Sequence, residues 1–297
     1  MEEINVSQCT VCGGSNWQRL MDTVETEKGE PFSIFVCTSC GVARTWPVPP
    51  DLSRYYSSEI GTQFLAKGAP LYEFLKRRLM LKEFSRIRHL AKSGISFLDV
   101  GTGTGDFACV MADAGAQVLT VDATSNVPVR LRERTDVPHY VMNYDTYQID
   151  GLAGADRCCV VARHVVEHLK DPSAFIRQML ALGAKHFYFV VPNAGSFSRR
   201  LYGQYWFAWD PPRHLWHFTK ATMEQLLDSH GIRTVASGYV ASTMMAASVY
   251  RLLRMNHAPE WLCRAANTKG AISGLVGGAL DAMCGDAAVW VYAQREG

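Results

Sequence analysis

The chain has 297 residues, 48% of them hydrophobic, and a formal charge of +2. That length accommodates one full α/β domain with a small module beside it. The near-neutral charge gives no electrostatic basis for nucleic-acid binding, which ordinarily shows as a basic stripe. No run of about 18 apolar residues occurs, so no membrane-spanning helix is predicted. The opening segment MEEINVSQC lacks the positive start and apolar stretch of a secretory signal. Nine cysteines, an odd number, argue against a disulfide framework, and the cytoplasm is the expected location.

Two Cys-x-x-Cys pairs come first, Cys9 with Cys12 and Cys37 with Cys40, followed by Gly13-Gly14 and by Gly41. Four thiolates at this spacing can close a tetrahedral zinc site, which predicts a zinc ribbon over residues 1–46. These residues hold too few apolar side chains for a core of their own, so a bound metal would supply folding energy, of order 10 kcal/mol in small zinc domains. Four protein ligands leave no open position for substrate, which makes the expected zinc structural. A redox dithiol and an iron–sulfur centre are the alternatives that four cysteines leave open. The other cysteines, Cys109, Cys158 and Cys159 among them, read as small buried hydrophobes.

Residues 47–94 form a linker and N-terminal helices. Trp46-Pro47-Val48-Pro49-Pro50 is stiff and extended, because proline disfavours helix before it. A short helix is expected over 51–60 and a longer one over 71–92, where Leu71, Phe74, Leu75, Leu79, Phe84, Ile87 and Leu90 keep mostly helical spacing. The opposite face carries Lys76, Arg77, Lys82, Arg88 and Lys92. It is either a solvated face or a contact for nucleic acid or anionic lipid.

From residue 95 onward strands and helices alternate. Strands are predicted at 96–100, 117–122, 138–142, 157–162, 185–191, 232–240 and 287–294, and helices near 105–115, 125–134, 171–182 and 219–230. Asp171 precedes Pro172 as an N-cap. Thr219 fits an N-cap, and Gly183 and Gly231 fit C-caps. Such alternation predicts an α/β domain with a parallel sheet and helices on both faces.

Residues 96–107, SFLDVGTGTGDF, are the most informative segment. A buried strand ends at Asp99-Val100, and Gly101, Gly103 and Gly105 follow before a helix begins. Glycines there permit positive φ and close approach of a ligand to the backbone. Asp122, at the end of the next strand, offers a carboxylate to both hydroxyls of a ribose. The spacing Gly-x-Gly-x-Gly differs from the Gly-x-Gly-x-x-Gly of dehydrogenases. The segment resembles that of class I S-adenosylmethionine-dependent methyltransferases, and the resemblance extends over about residues 75–295. It implies a Rossmann-like, doubly wound, seven-stranded sheet whose last two strands form an antiparallel edge. It also implies that S-adenosylmethionine lies with its methionine part on the Asp99–Gly105 segment and its ribose on Asp122.

The same resemblance places the adenine near Tyr144 and Asp145, after the third strand. It places Arg163 and His164 at the lip of the cofactor pocket, followed by Glu167-His168 and Asp171-Pro172. His168 reads as a local hydrogen-bonding group that shapes this turn. The set His164, Glu167 and His168 holds one carboxylate, whereas magnesium prefers oxygens, so no catalytic metal is expected.

Residues 192–218 are expected to form an aromatic lid, with eight aromatics between Phe197 and Phe218. Trp206, Trp209 and Trp216 are candidates for packing on an acceptor, or for a hydrophobic cluster under a long loop. The Pro-Arg-His-Leu and Phe-Thr elements at 212–219 are similar to a methyltransferase branch associated with glycan and secondary-metabolite pathways. Methyl transfer to a hydroxyl or an acidic carbon must dispose of a proton, a task suited to histidine. His214 is the first candidate, then His164, then His217. Tyr205 is expected to orient the acceptor, and Arg213 to bind a phosphate or carboxylate on it, or to pair with Asp210. A hydrophobic insertion at 241–283 reads as cover for the core, a dimer contact or a peripheral membrane surface.

The function expected is methyl transfer from S-adenosylmethionine to a small-molecule or sugar acceptor, at oxygen before carbon or nitrogen. The alternatives are a ribosomal-RNA base methyltransferase, and a binding protein that kept the fold, lost catalysis and uses its ribbon to recruit a partner.

Overall fold

The structure is a computed structural model that describes residues 8–56, 70–240, 244–266 and 285–295. Its centre is a seven-stranded sheet. The strands are β4 (Ser96–Val100), β5 (Val118–Asp122), β6 (His139–Val141), β7 (Cys158–Arg163), β8 (His186–Pro192), β10 (Ile232–Val240) and β11 (Ala288–Arg295), in the order β10-β11-β8-β7-β4-β5-β6. β4 lies between β5 and β7, parallel to both, so the chain reverses its direction of winding there. Ligands of open α/β sheets bind at that point, beyond the carboxyl ends of the strands. β10 and β11 pair antiparallel, as expected, but only β11 runs against its inner neighbour β8, and β10 takes the edge.

The helices on the faces are α1 (Pro70–Phe84), α2 (Arg88–Lys92), α3 (Asp106–Asp113), α4 (Pro172–Ala181), α5 (Phe197–Tyr202), α6 (Lys220–Asp228), α7 (Met244–Met255) and α8 (Glu260–Ala266). Asp171 caps α4 by accepting from the Ala174 N–H, and a capping box at Thr219 starts α6. The helix expected over 71–92 divides after Phe84, where Phe84 and Ile87 turn into the core. Three of the five basic residues expected on its opposite face are engaged internally: Lys76 pairs with Asp106, Arg77 with Asp113, and Arg88 donates to the Ala114 carbonyl.

No helix forms at 125–134. Turns replace it, because Pro128 lacks an N–H and its ring disfavours helix at the residue before it. The Arg130 N–H instead donates to Thr104 O at 3.2 Å, and Leu131 is buried against the glycine turn. Of the 51–60 helix, one 3-10 turn at Ser53–Tyr55 is present, and 57–60 lie outside the described residues.

At the N-terminus, β1 (Trp17–Val24), β2 (Pro31–Cys37) and β3 (Ala43–Trp46) form an antiparallel sheet. Its fourth strand, β9 (Trp216–His217), comes from the segment expected to be the lid, with Ala43 opposite His217 and Arg44 opposite Trp216. Cys9, Val11, Cys37 and Val42 belong to the same buried cluster as Leu98, Val160, Phe187 and Val291 of the large sheet. The core therefore runs unbroken from the cysteine-rich segment into the α/β layers. α7 ties down the ribbon from outside. Arg251, fully buried, donates to Thr23 Oγ1 and Val24 O at 2.8 Å, and Arg254 and Tyr250 both reach Glu27. This part of the expected insertion faces the ribbon; residues 241–243 and 267–284, with Gly270, Gly274, Gly277 and Gly278, lie outside the described residues.

Among the described residues, no helix is long and apolar enough to cross a membrane.

Candidate active site

The cofactor side is built by backbone. β4 is buried from Phe97 to Val100, and the chain then leaves the sheet through Gly101, Gly103 and Gly105, with φ of +66°, +57° and +84°. Side chains rarely adopt these values. Space adds a second constraint at Gly101, where a Cβ would lie 2.4 Å from Val165 Cγ2, and at Gly105, where it would meet Leu131 at 2.8 Å. Gly103 has open space above it, with only the Gly101 carbonyl at 4.0 Å, so the middle of the turn is a concave, unobstructed cradle.

Asp122, at the end of β5, closes the cradle. One of its oxygens accepts from the Ala123 N–H at 2.7 Å and the other from the Gly103 N–H at 3.3 Å, which aims the carboxylate along the glycine turn. Tyr144 leans over the same turn, its hydroxyl 3.6 Å from where a Gly101 Cβ would be, and burial raises its pKa. Asp99 lies beneath, buried, accepting from Thr102 Oγ1 at 2.8 Å. Burial pushes its carboxyl up to about 6. Asp145 is exposed and paired with Lys170. Arg163 lies close enough to Asp99 for its charge to favour that carboxylate. It grips Glu83 of α1 through Nε at 2.6 Å and Nη2 at 3.1 Å, and it lies over the Phe107 ring.

The acceptor side begins where β7 ends. His164 has φ +55°, a left-handed conformation uncommon for a side-chain-bearing residue and a form of strain that collects at functional sites. Its imidazole is 40% exposed, and Nδ1 lies 3.4 Å from Oε1 of Glu167, which is 1% exposed. Among the described residues, neither Glu167 oxygen has a hydrogen-bond partner of good geometry. Burial drives that carboxyl up, but His164, His168 and His214 around it outweigh burial and hold it below its ordinary range. His168 Nδ1 faces the Arg213 carbonyl at 3.0 Å, which can only accept, and the Tyr56 hydroxyl at 3.1 Å. Burial, then the neighbouring His214, brings its pKa down to about 4, so it is neutral at pH 7.

His214 and His217 are both buried. His214, 8% exposed, donates from Nδ1 to Ala208 O at 2.8 Å and stacks edge-on against His168. His217, 3% exposed, lies against Thr45 Oγ1 and the Trp209 ring, and burial holds it well below the ordinary histidine range. Arg213 is paired with Asp210 at 2.6 Å. Tyr205 is half-buried in a 3-10 turn. The three tryptophans expected to offer an aromatic platform are internal: Trp206 donates to Ser198 Oγ, Trp209 to Gly203 O and Trp216 to Leu169 O, all fully buried. Residues 206–218 are therefore mostly packed against the core, while Phe197 and Leu201 remain exposed. Tyr56 and the buried position of Glu167 are the features the sequence did not announce. Tyr56 is brought to His168 by the chain path alone, across 112 positions.

Among the described residues, two clusters have the composition of metal sites. Cys9 and Cys40 sulfurs are 3.6 Å apart, as are those of Cys12 and Cys37, and the Gly14 N–H points at Cys12 Sγ. A tetrahedral zinc with bonds of about 2.3 Å needs sulfurs roughly 3.7 Å apart, so the four thiols fit the ion. Glu167, His168 and His214 each bring one ligand atom within 4.8 Å of the others. That set is richer in nitrogen than magnesium favours.

A methyltransferase-domain family model matches residues 72–237. A ubiquinone biosynthesis O-methyltransferase of Rhodopseudomonas palustris (strain HaA2) is 30% identical over 213 residues, spanning 65% of this chain and 83% of that protein. A mitochondrial ubiquinone biosynthesis O-methyltransferase of Arabidopsis thaliana is 28% identical over 139 residues, 43% of this chain and 41% of that one. Among solved structures, the magnesium protoporphyrin IX methyltransferase of Synechocystis PCC 6803 with bound S-adenosylhomocysteine shares the fold. Its TM-score is 0.50 at 13% identity, over 82% of this chain and 97% of that one. The strand order, the glycine cradle with its acidic partner and the family match over more than half of the chain agree, and the chain belongs to the class I S-adenosylmethionine-dependent methyltransferases.

Proposed function

We propose that this methyltransferase acts on a hydroxyl oxygen of a small molecule, with His164 as the base and Glu167 as the group that orients it. The observation that carries this reading is the pair itself: an exposed, strained histidine at the carboxyl end of β7, with Nδ1 3.4 Å from a buried carboxylate that no donor among the described residues satisfies. A base oriented by a third group is the recurring arrangement for activating a weak nucleophile. The O-methyltransferase names of the similar proteins favour oxygen as the acceptor atom. A sugar hydroxyl is compatible with the same chemistry.

S-adenosylmethionine bound on the cradle supplies an electrophilic methyl group on a sulfonium. Gly101, Gly103 and Gly105 allow its methionine part to approach the backbone, Asp122 receives its ribose hydroxyls, and Tyr144 covers it. Positioning the acceptor against the methyl supplies much of the rate. The acceptor hydroxyl gives its proton to His164, and the Glu167 carboxylate stabilises the resulting imidazolium. Cys9, Cys12, Cys37 and Cys40 hold a structural zinc in this reading. The basic face of α1, largely engaged in ion pairs, lends no support to an RNA substrate.

The test is calorimetric titration with S-adenosylhomocysteine, followed by radiolabelled methyl transfer to a panel of phenols, catechols and sugars. Micromolar binding with label in a methyl ether is the expected result. Label recovered only on carbon or nitrogen would overturn the oxygen assignment. Metal analysis of the purified protein should find about one zinc per chain, and folded protein without metal would remove the zinc assignment.

A further inference from the structure

The cysteine ribbon reaches the acceptor side through consecutive hydrogen bonds. Thr45, fully buried in β3, donates its N–H to Leu215 O at 3.0 Å, and the Leu215 N–H donates to Glu167 O at 2.8 Å. Two bonds in series thus join a ribbon strand to the residue whose carboxylate faces His164. The Thr45 side chain adds a third contact, donating from Oγ1 to His214 O at 2.7 Å, with His217 Nε2 at 2.9 Å. The Thr45 hydroxyl thus bridges the His214 carbonyl and the His217 ring, two groups of the β9 segment.

The other end of the same turn is held as well. Thr10, between Cys9 and Cys12, donates to Asp171 Oδ1 at 2.8 Å and accepts from the Ser173 N–H at 3.3 Å. Asp171 caps α4, which starts directly after the turn. The second cysteine pair sets the start of β3, since the Cys37 N–H donates to Val42 O at 2.9 Å. A ribbon that served only to recruit a partner would need none of these bonds.

We infer that the ribbon is a positioning part of the acceptor site: Thr45 and Thr10 hold the turn from His164 to Asp171 so that Glu167 faces His164. This rests on the reading of His164 as the base. Thr45→Val removes the hydroxyl and keeps the shape and the backbone donor. Amide exchange at Leu215 and the imidazole 15N signals of His164 and His217 are read in the full chain with S-adenosylhomocysteine bound. Exchange at Leu215 should quicken roughly tenfold, as expected for losing one buried hydrogen bond. Both imidazole signals should move, affinity for S-adenosylhomocysteine should hold within about twofold, and Thr45→Ser should restore all three. An unchanged Leu215 and His164 beside a shifted His217 would overturn the inference, leaving Thr45 as a brace within the wall. Parallel loss of S-adenosylhomocysteine affinity would also overturn it, because the ribbon would then support the whole fold. Should Thr45→Val fail to fold, Thr10→Val is measured by the same signals. His164→Gln, assayed by turnover alone, separates the two claims: if turnover survives, the base assignment falls, while the exchange data still decide the coupling.

Discussion

The proposed cofactor half and the proposed acceptor half of this site are made in different ways. The cradle comes from one continuous stretch, strand to turn to helix to strand, and its shape follows from three glycines at positive φ and one carboxylate at the next strand end. The acceptor half joins Thr10, Thr45, Tyr56, the turn that carries His164 and Glu167, and His214, which are distant from one another in the chain; the Thr45–His214 bond alone crosses 169 positions. Damage to the first should act through local strain and ligand contact. Damage to the second should act through geometry transmitted between elements.

The largest expected effect is on the acceptor half. His164→Gln should lower turnover by about 10²–10⁴-fold, the usual contribution of a general base, while calorimetry with S-adenosylhomocysteine shows unchanged affinity. If affinity falls alongside turnover, the two halves are not separable. Gly101→Ala is the strongest single break in the cradle. Its Cβ would meet Val165 at 2.4 Å in a backbone conformation of φ +66°. Left-handed strain and overpacking together predict a loss of about 2–4 kcal/mol in denaturant unfolding. An undiminished midpoint would mean that the turn relaxes and that its shape is not dictated by glycine. Asp122→Ala should leave the fold intact and weaken S-adenosylhomocysteine about 10–100-fold, as befits losing charge-assisted hydrogen bonds. Unchanged affinity would move the ribose elsewhere.

Legibility followed the same division. Asp99, the glycines and Asp122 could be picked out because local backbone chemistry leaves a local pattern, and the seven-stranded sheet with its antiparallel last pair followed from strand–helix alternation together with the family resemblance. The helix misplaced at 125–134 was also a local matter, since Pro128 stood in the sequence as a warning against it. The acceptor half was harder. His214, Trp206, Trp209 and Trp216 have the chemistry of a binding wall, yet burial depth is a property of packing, and these side chains proved to be internal. Nothing in the spacing of Ala43–Trp46 announces that this strand takes β9 as a neighbour, because pairing across such a separation is decided by the assembled core. Arg163 stood at the right strand end, but its partner Glu83 lies 80 positions away.

The smallest expected effect sharpens the comparison from the cofactor side, through pH. Burial raises the Asp99 carboxyl to about 6, above its ordinary value of 3.8. A carboxyl raised in this way favours the folded state when protonated. Its contribution is complete below about pH 4 and is lost as pH rises through 6, after which the buried charge is a standing cost. At 1.36 kcal/mol per unit, the shift sets an upper bound of about 3 kcal/mol, and the nearby Arg163 charge and Thr102 hydroxyl already offset part of the burial. Asp99→Asn keeps the shape and removes the charge, so the apo protein should gain about 1–2 kcal/mol at pH 8. At pH 4 it should gain little, which thermal or denaturant melts at the two pH values can read directly. The same variant should bind S-adenosylhomocysteine more weakly if the carboxylate is kept for the ligand. A gain in stability with no loss of affinity would mean that Asp99 stays buried for a reason outside the cofactor. A loss of stability at both pH values would mean that its hydrogen bond to Thr102 and its proximity to Arg163 outweigh burial.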